Sequence, residues 1–242
     1  MFGPLHFVWL AVCTAVIVVG MIFSVKKNLS LHGGLTIFCA ICIASELVKI
    51  FYVLIREERH NEDGVYIKET DLPFHLCSMQ IFCAFIARFT KSEKIRDFFV
   101  VFMIPTGLLG GLAALLIPTI TCSFANVRTY QYFLYHAGLM WFAVFAIFKK
   151  RGCLNFKAFL KVLAGLGVAM VIAIYINGFT QNTNFLYVAA PPMDGLPVLN
   201  MNNGWLVYFL SYLAVVLAVL LLFFAPFWIC YAVKKKKPKN EN

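Results

Sequence analysis

Long apolar stretches alternate with short polar segments along almost the whole chain. Seven of these stretches approach 20 residues, the length that a helix needs to cross a hydrocarbon core of about 30 Å. They are residues 4–23, 35–55, 74–89, 98–117, 130–148, 158–177 and 205–233. A backbone exposed to lipid has no hydrogen-bond partner outside itself, so each span must be a helix or part of a closed barrel. The strands of a membrane barrel alternate apolar and polar residues, and the sequence lacks this alternation. The pattern therefore predicts an all-α, polytopic membrane bundle of seven transmembrane helices.

The composition agrees with a membrane protein and excludes several other classes. Of the 242 residues, 62% are hydrophobic and only 13% are charged, and the mean hydropathy is +0.82. Such a chain cannot cover a soluble domain with polar surface, which excludes a disordered protein, a nucleic-acid-binding module and a secreted disulfide scaffold. We therefore expect no nucleic-acid partner. The small size and short loops predict a multi-pass protein of a bacterial plasma membrane.

Lysine and arginine residues are concentrated on one side of the predicted bundle. Four lie in loops on one side, whereas sixteen lie on the other, in residues 26–27, 88–96, 149–161 and 234–239. Because basic loops near span ends are retained in the cytoplasm, we expect the amino terminus outside and the carboxyl terminus inside. We predict a single transmembrane domain over residues 1–233. The remaining residues, 234–242, are predicted to form a basic cytoplasmic tail that contacts anionic lipid headgroups.

We single out four ionisable side chains within the predicted spans, and each needs a partner, a cavity or a function because charge within a membrane is costly. They are Glu46, Lys49, His75 and His136. With the predicted orientation and a rise of about 1.5 Å per residue, all four fall in the outer half of the membrane. Residues that are distant in sequence thus share one depth, which predicts a common polar cavity.

Glu46 and Lys49 are three residues apart, so they can pair on one face of the second helix. This spacing is compatible with a structural ion pair inside the bundle. It is also compatible with a pair of charges that lines a pathway for an ion or a substrate. If Lys49 instead reaches the outer interface, Glu46 becomes free to orient a histidine or to carry a proton.

Residues 71–78, Asp-Leu-Pro-Phe-His-Leu-Cys-Ser, carry the most specific chemical pattern. The proline marks a helix start, because the first turn has no acceptor for the amide proton that proline lacks. Cys77 is then expected near free backbone amides and the positive end of the helix dipole, which favour a thiolate and can bind an oxyanion. On a regular helix His75 is poorly aimed at Cys77, so His136 is the better base. The alternative is an ordinary buried thiol beside a hydrogen-bonded histidine.

Metal or haem ligation by His75, Cys77 and His136 is a third interpretation. No His-x-x-x-His or Cys-x-x-Cys spacing supports it. Retinal is excluded because the last span has no lysine before Lys234 to form a Schiff base. We therefore expect no metal and no cofactor.

Residues 72–78 resemble the YwaF-like family of bacterial integral membrane proteins, whose hallmark is a Leu-Pro-x-His-Leu-Cys opening of an internal span. The placement of Glu46, of His136 and of the Asn-Phe-Leu-Tyr segment that starts at Asn184 is similar. The resemblance implies a relation to eukaryotic membrane acyltransferases that remodel phospholipids through a cysteine. It also implies a more distant relation to androgen-induced membrane hydrolases of fatty-acid esters.

The resemblance implies that Cys77 is the nucleophile and that His136 or His75 is the acid or base. It also implies that Glu46 is an orienting carboxylate and that Asn184 contacts the site. We count Lys49 with Asn184 as substrate-binding. The predicted function is a lipid acyltransferase or ester hydrolase that acts on membrane lipids from the outer half of the bilayer. The alternative is a small solute transporter or a membrane-embedded substrate-binding subunit, with Glu46, Lys49 and His136 lining the path.

Overall fold

The structure, a computed structural model, describes residues 3–55, 60–61, 64–65, 69–180, 183–193 and 195–236. Most of these residues lie in α-helices: α1 (Pro4–Lys26), α2 (Leu31–Ile55), α3 (Leu76–Phe89), α4 (Glu93–Leu116), α5 (Val127–Lys150), α6 (Phe156–Phe179) and α7 (Trp205–Lys236). Two strands of two residues each, β1 (His60–Asn61) and β2 (Gly64–Val65), pair antiparallel between α2 and α3. The predicted helical membrane protein with seven helices is confirmed.

Among the described residues, six helices are long and apolar enough to cross a membrane. The exception is α3, whose 14 residues extend only about 21 Å at 1.5 Å per residue. The long helices continue beyond several predicted span ends, because polar residues that flank the apolar stretches are also helical. For example, α4 begins at Glu93, and Ser92 caps it by accepting the amide of Ile95 at 3.5 Å.

The chain divides into two compact units, Met1–Lys149 and Lys150–Asn242. The first unit contains α1 to α5, and the second contains α6 and α7. The single domain predicted for residues 1–233 stays a prediction. The predicted basic tail begins inside α7, which continues to Lys236. Residues 237–242 of that tail lie outside the described residues.

At one end of the first unit, polar contacts bring together the end of α1, the start of α2 and the ends of α3 and α5. Trp141 Nε1 donates to Ser24 Oγ at 3.2 Å, and Arg88 Nε donates to Thr36 Oγ1 at 2.6 Å. We call this the basic end, and it is defined by Lys26, Lys27, Arg88, Arg96 and Lys149.

The opposite end of the first unit contains the start of α1, the end of α4 and the starts of α3 and α5. His6 Nε2 donates to Leu115 O at 2.8 Å, and Tyr132 Oη donates to Ala114 O at 3.1 Å. The carbonyl oxygens in the last turn of α4 have no donor within the helix, and these two side chains supply hydrogen bonds to them. We call this the site end, and it is defined by His6, Lys49, Asp71, Cys77 and Arg128.

The core of the first unit is built largely from aromatic pairs on α5. Near the site end, Trp9 of α1 stacks on Phe133 with ring centroids 5.1 Å apart. Further along α5, Phe38 of α2 stacks on Phe142 with centroids 4.9 Å apart. All four rings are buried, so α5 is the central helix against which α1 and α2 pack.

Replacing Gly20 with alanine is expected to destabilise the first unit. A Cβ atom at this position would lie 2.6 Å from Cδ1 of Trp141, and that indole is only 4% exposed. We expect the free energy of unfolding, measured by denaturant titration in detergent, to fall by about 1–3 kcal/mol. Gly167→Ala in α6 is the control, because a Cβ atom there meets nothing within 4 Å. Equal losses in the two variants would contradict the steric explanation.

In the second unit, part of the loop between α6 and α7 is fastened to both helices. The Asn177 side chain accepts the amide of Phe185 at 2.9 Å, and Trp205 Nε1 donates to Val188 O at 3.0 Å. Between these contacts, Leu186 has a φ of 55°, in the left-handed region that non-glycine residues seldom adopt. The contacts on either side hold this conformation in place.

Candidate active site

Cys77 lies in the first turn of α3, as predicted. The helix begins at Leu76, and His75 is its N-cap in an extended conformation (φ −70°, ψ 149°). The carbonyl of His75 accepts the amide of Met79 at 2.9 Å. Helical hydrogen bonds reach back four residues, so the amides of the first three helical residues have no acceptor within the helix. The backbone around Cys77 therefore presents free donors and the positive end of the α3 dipole.

The sulfur of Cys77 lies against α4. A Cβ atom built on Gly110 would lie 3.3 Å from Cys77 Sγ. A Cβ atom built on the next residue, Gly111, would lie 2.6 Å from Met140 Cγ and 3.4 Å from His136 O. The two glycines thus let α3 and α5 approach the same turn of α4, which places Cys77 and His136 on either side of that turn.

Tyr135 joins the helix of Cys77 to the helix of His136. Its buried hydroxyl donates to Cys77 O at 2.6 Å. The adjacent His136 is 7% exposed, and its Nδ1 lies 2.7 Å from Tyr132 O. Because a carbonyl oxygen only accepts, Nδ1 carries the proton and Nε2 of the neutral ring keeps a lone pair. His136 is therefore in the tautomer that a general base requires.

The structure links the candidate nucleophile and base indirectly. Within the described residues, no hydrogen bond joins the Cys77 thiol to the His136 ring. Instead, the Tyr135 hydroxyl donates to the Cys77 carbonyl, and the His136 ring donates to the Tyr132 carbonyl. His75, the other candidate base, lies two residues before Cys77 on extended backbone. Catalytic hydrogen bonds often form only with substrate bound, so the roles of both histidines stay predictions.

The predicted pairing of Glu46 with Lys49 is confirmed. Lys49 Nζ forms an ion pair with Glu46 Oε2, and it also donates to Asp71 O at 3.4 Å. Arg128 Nη2 lies 3.5 Å from Asp71 Oδ1. We call these four residues the charged row, because opposite charges alternate along it from α2, through the segment before α3, to the start of α5. The sequence pattern had placed Asp71 and Arg128 in outer loops, with no link to the pair.

Uncharged polar side chains also lie close to Cys77. Gln80, one turn further along α3, is fully buried, and its Nε2 donates to Leu76 O at 3.1 Å and to Thr106 Oγ1 at 3.0 Å. The Thr106 hydroxyl donates in turn to Phe102 O at 2.6 Å. In the described part of the chain, Gln80 Oε1 has no hydrogen-bond partner. In the sequence, the contact between Gln80 and Thr106 is indicated only by the presence of a glutamine within an apolar stretch.

Comparison with known protein families matches residues 1–224 to the model of the TMEM164 family. The chain belongs to the TMEM164 family. No curated protein and no solved structure matches it. Together with the apolar helices, membership of the TMEM164 family establishes an integral, multi-pass membrane protein. The match gives the family alone, so the resemblance to the YwaF-like family and the relation to acyltransferases stay predictions.

In this member of the TMEM164 family, Asn184 lies in the second unit and its side chain hydrogen-bonds within its own loop. Its Oδ1 accepts the amides of Ala189 at 3.1 Å and Ala190 at 3.4 Å, and its Nδ2 donates to Ala190 O at 2.8 Å. These hydrogen bonds close a turn in the loop that precedes α7. A contact between Asn184 and substrate stays a prediction.

Donor groups for a metal are dispersed in the part of the TMEM164-family chain that the structure describes. No three His, Cys, Asp or Glu side chains there come together as a metal site would require. The expectation that the protein uses no metal and no cofactor stays a prediction.

Proposed function

We propose that this TMEM164-family protein is a membrane acyltransferase or ester hydrolase that acts on lipid esters through Cys77. The observation that carries the proposal is the position of Cys77 in the first turn of α3, with its carbonyl held by the residue that precedes His136. A thiol, free amides and an imidazole at one end of one unit are the groups that acyl transfer needs. The resemblance to the YwaF-like family supports the same assignment.

The short length of α3 supports a reaction site below the membrane surface. Arg96 Nε donates to Ala87 O at 3.2 Å, so the carboxyl end of α3 lies at the basic end. From there, 14 residues cover about 21 Å of a hydrocarbon core about 30 Å thick, which leaves the first turn about 9 Å below the opposite boundary. Irregular backbone at that depth is tolerated where it is buried in protein or lines a cavity. The charged row lies beside this turn.

In the first half of the proposed reaction, His136 takes the proton of the Cys77 thiol, directly or through one water, as sulfur attacks the ester carbonyl carbon. The free amides of α3 stabilise the oxyanion of the tetrahedral intermediate. The ester C–O bond then breaks, and the departing oxygen takes the proton from the imidazolium. The acyl chain remains on Cys77 as a thioester.

In the second half, the hydroxyl of a lysolipid, or water, gives its proton to His136 and attacks the thioester carbonyl carbon. The C–S bond breaks, and the sulfur recovers the proton from the imidazolium. Attack by a lysolipid completes acyl transfer, whereas attack by water completes hydrolysis.

The proposal is tested by trapping the acyl-enzyme. Purified protein in nanodiscs that contain a phospholipid with a radiolabelled acyl chain is expected to acquire a label that hydroxylamine removes, and Cys77→Ala is expected to acquire none. Cys122→Ala is the matched control, because Cys122 is also a half-buried, reduced cysteine of the first unit. Equal labelling of Cys77→Ala and wild type would reject Cys77 as the nucleophile.

The orientation of the chain is part of the same proposal. We place the basic end of the first unit in the cytoplasm, the amino terminus outside and the carboxyl terminus inside. The support is the distribution of lysine and arginine, sixteen against four, between the two sides. The site end then takes lipid esters from the outer half of a plasma membrane, which we propose is bacterial.

A further inference from the structure

A groove of about 520 Å³ lies on the first unit, and none of the residues assigned to acyl transfer lines it. It is formed by α1, α2 and α5, and its walls are apolar. Gly20 of α1 and Gly138 of α5 are part of its lining, and because they lack side chains, Trp141 packs against α1 and Ile41 packs against α5. Trp141 lines the groove although only 4% of its surface is exposed, so the indole lies at the floor.

The α1 wall of the groove ends in two lysines. Val19 and Phe23 line the groove, and Lys26 and Lys27 follow them at spacings of seven and four residues. Residues at these spacings lie on the same face of a helix. Lys26 is the last residue of α1 and Lys27 is its C-cap, so both lysines follow the α1 wall at the basic end of the first unit.

The α5 wall ends in a third lysine at the same end. Trp141 stacks on Phe145 with ring centroids 5.8 Å apart, and Lys149 Nζ lies 5.7 Å from the centre of the Phe145 ring. The Trp141 ring at the floor of the groove is therefore linked through the Phe145 ring to the ammonium group of Lys149. Two helices that are more than 100 residues apart in sequence thus end in lysines beside one apolar groove.

We propose that this groove binds an acyl chain of an anionic phospholipid, whose phosphate lies against Lys26, Lys27 and Lys149. Lysine stems pack along apolar surface and carry the ammonium group to the level of the headgroups. An apolar groove that ends in cations complements a lipid with an apolar chain and a negatively charged head. A zwitterionic lipid fits the groove equally well but brings its own cation towards the lysines, so the site selects anionic lipid.

Trp141 provides the measurement, because bromine atoms on an acyl chain quench indole fluorescence only at short range. Protein in nanodiscs is titrated with brominated phosphatidylglycerol or with brominated phosphatidylcholine, and the difference between wild type and Trp141→Phe isolates the signal of Trp141. We expect half-maximal quenching at a mole fraction of the anionic lipid at least about tenfold lower than that of the zwitterionic lipid.

Two variant pairs separate the groove from the general lipid environment. Lys27→Gln with Lys149→Gln is expected to abolish most of the preference. Lys91→Gln with Lys94→Gln removes the same charge from the α3–α4 loop and the first turn of α4, and is expected to retain the preference. Val19→Phe fills the groove and is expected to reduce quenching by both lipids. Val18→Phe, on a residue that does not line the groove, is expected to leave quenching unchanged.

Equal quenching by the two lipids would overturn the proposed selectivity, and so would loss of the preference in the Lys91 and Lys94 variant. An absence of quenching by either lipid would show that protein, such as a second copy of the chain, fills the groove, and would overturn lipid binding altogether. Cys77→Ala is expected to leave every one of these measurements unchanged. The groove proposal therefore stands or fails independently of the proposed acyl transfer.

Discussion

Replacing His136 with asparagine is expected to lower the rate of acylation of Cys77 by about 10²–10⁴-fold, the range that a positioned general base contributes. Asparagine places an amide nitrogen close to the position of Nδ1, so the hydrogen bond to Tyr132 O can be retained. What the variant loses is the lone pair of Nε2, and with it the acceptor for the thiol proton. Single-turnover acylation by a phospholipid with a labelled acyl chain, in nanodiscs, measures this step without product release.

His6→Gln is the matched control for this experiment. His6 is also a buried imidazole at the site end, but its Nε2 donates to Leu115 O and has a structural role. Glutamine can keep a donor at that position, so we expect the acylation rate to stay close to that of wild type. His75→Asn separates the two candidate bases. Wild-type acylation by His136→Asn, together with loss in His75→Asn, would assign the base to His75.

The helices of this protein follow directly from the sequence because lipid leaves the backbone no alternative. A stretch of about 20 apolar residues must form its own hydrogen bonds, so the length of the stretch is sufficient to locate the helix. The pairing of Glu46 with Lys49 is similarly local, because three residues along a helix bring two side chains together whatever surrounds them. Cys77 lies in the first turn of α3 as predicted, but the proline at position 73, which was expected in that turn, lies before the helix, which begins at Leu76.

Contacts between helices could not be predicted in this way. His6 lies within the predicted span 4–23 but was not singled out from the sequence, and its partner is a backbone carbonyl of α4 that only the packed fold brings near. The same holds for the hydroxyl of Tyr135 and the carbonyl of Cys77. Asp71 follows segments with no apolar pattern, so nothing local indicated that it would contact Arg128. In each case the missing information is which helix faces which.

Helix α3 begins two residues later than the apolar pattern predicted. The apolar pattern placed its first residue at 74, near the membrane surface, whereas the helix begins at Leu76 and has only 14 residues. Residues 72–75 are then non-helical, so their backbone polar groups have no partners within a helix. The charged row supplies polar partners beside that segment, for example through the hydrogen bond from Lys49 to Asp71 O. The short helix and the row of charges therefore belong to one arrangement.

Replacing Lys49 with methionine is expected to destabilise the first unit by about 2–4 kcal/mol, because it leaves the carboxylate of Glu46 in the membrane without its cation. Methionine keeps the length of the lysine stem, so packing changes little. The side chain of Glu46 is 30% exposed, which places the expected loss below that of a fully buried pair. Denaturant unfolding in detergent measures the loss, and an unchanged free energy of unfolding would show that Glu46 finds another partner.

Adding Glu46→Gln to Lys49→Met is expected to restore most of the lost stability, because the double variant carries neither charge. This double variant also separates a structural role of the pair from a functional one. If it is stable and acylates Cys77 at the wild-type rate, the pair only holds α2 to the segment before α3. If it is equally stable but acylates slowly, Glu46 acts on the chemistry as an orienting carboxylate. Loss of solute uptake in vesicles by Glu46→Gln, with Cys77→Ala unaffected, would instead favour transport along the charged row.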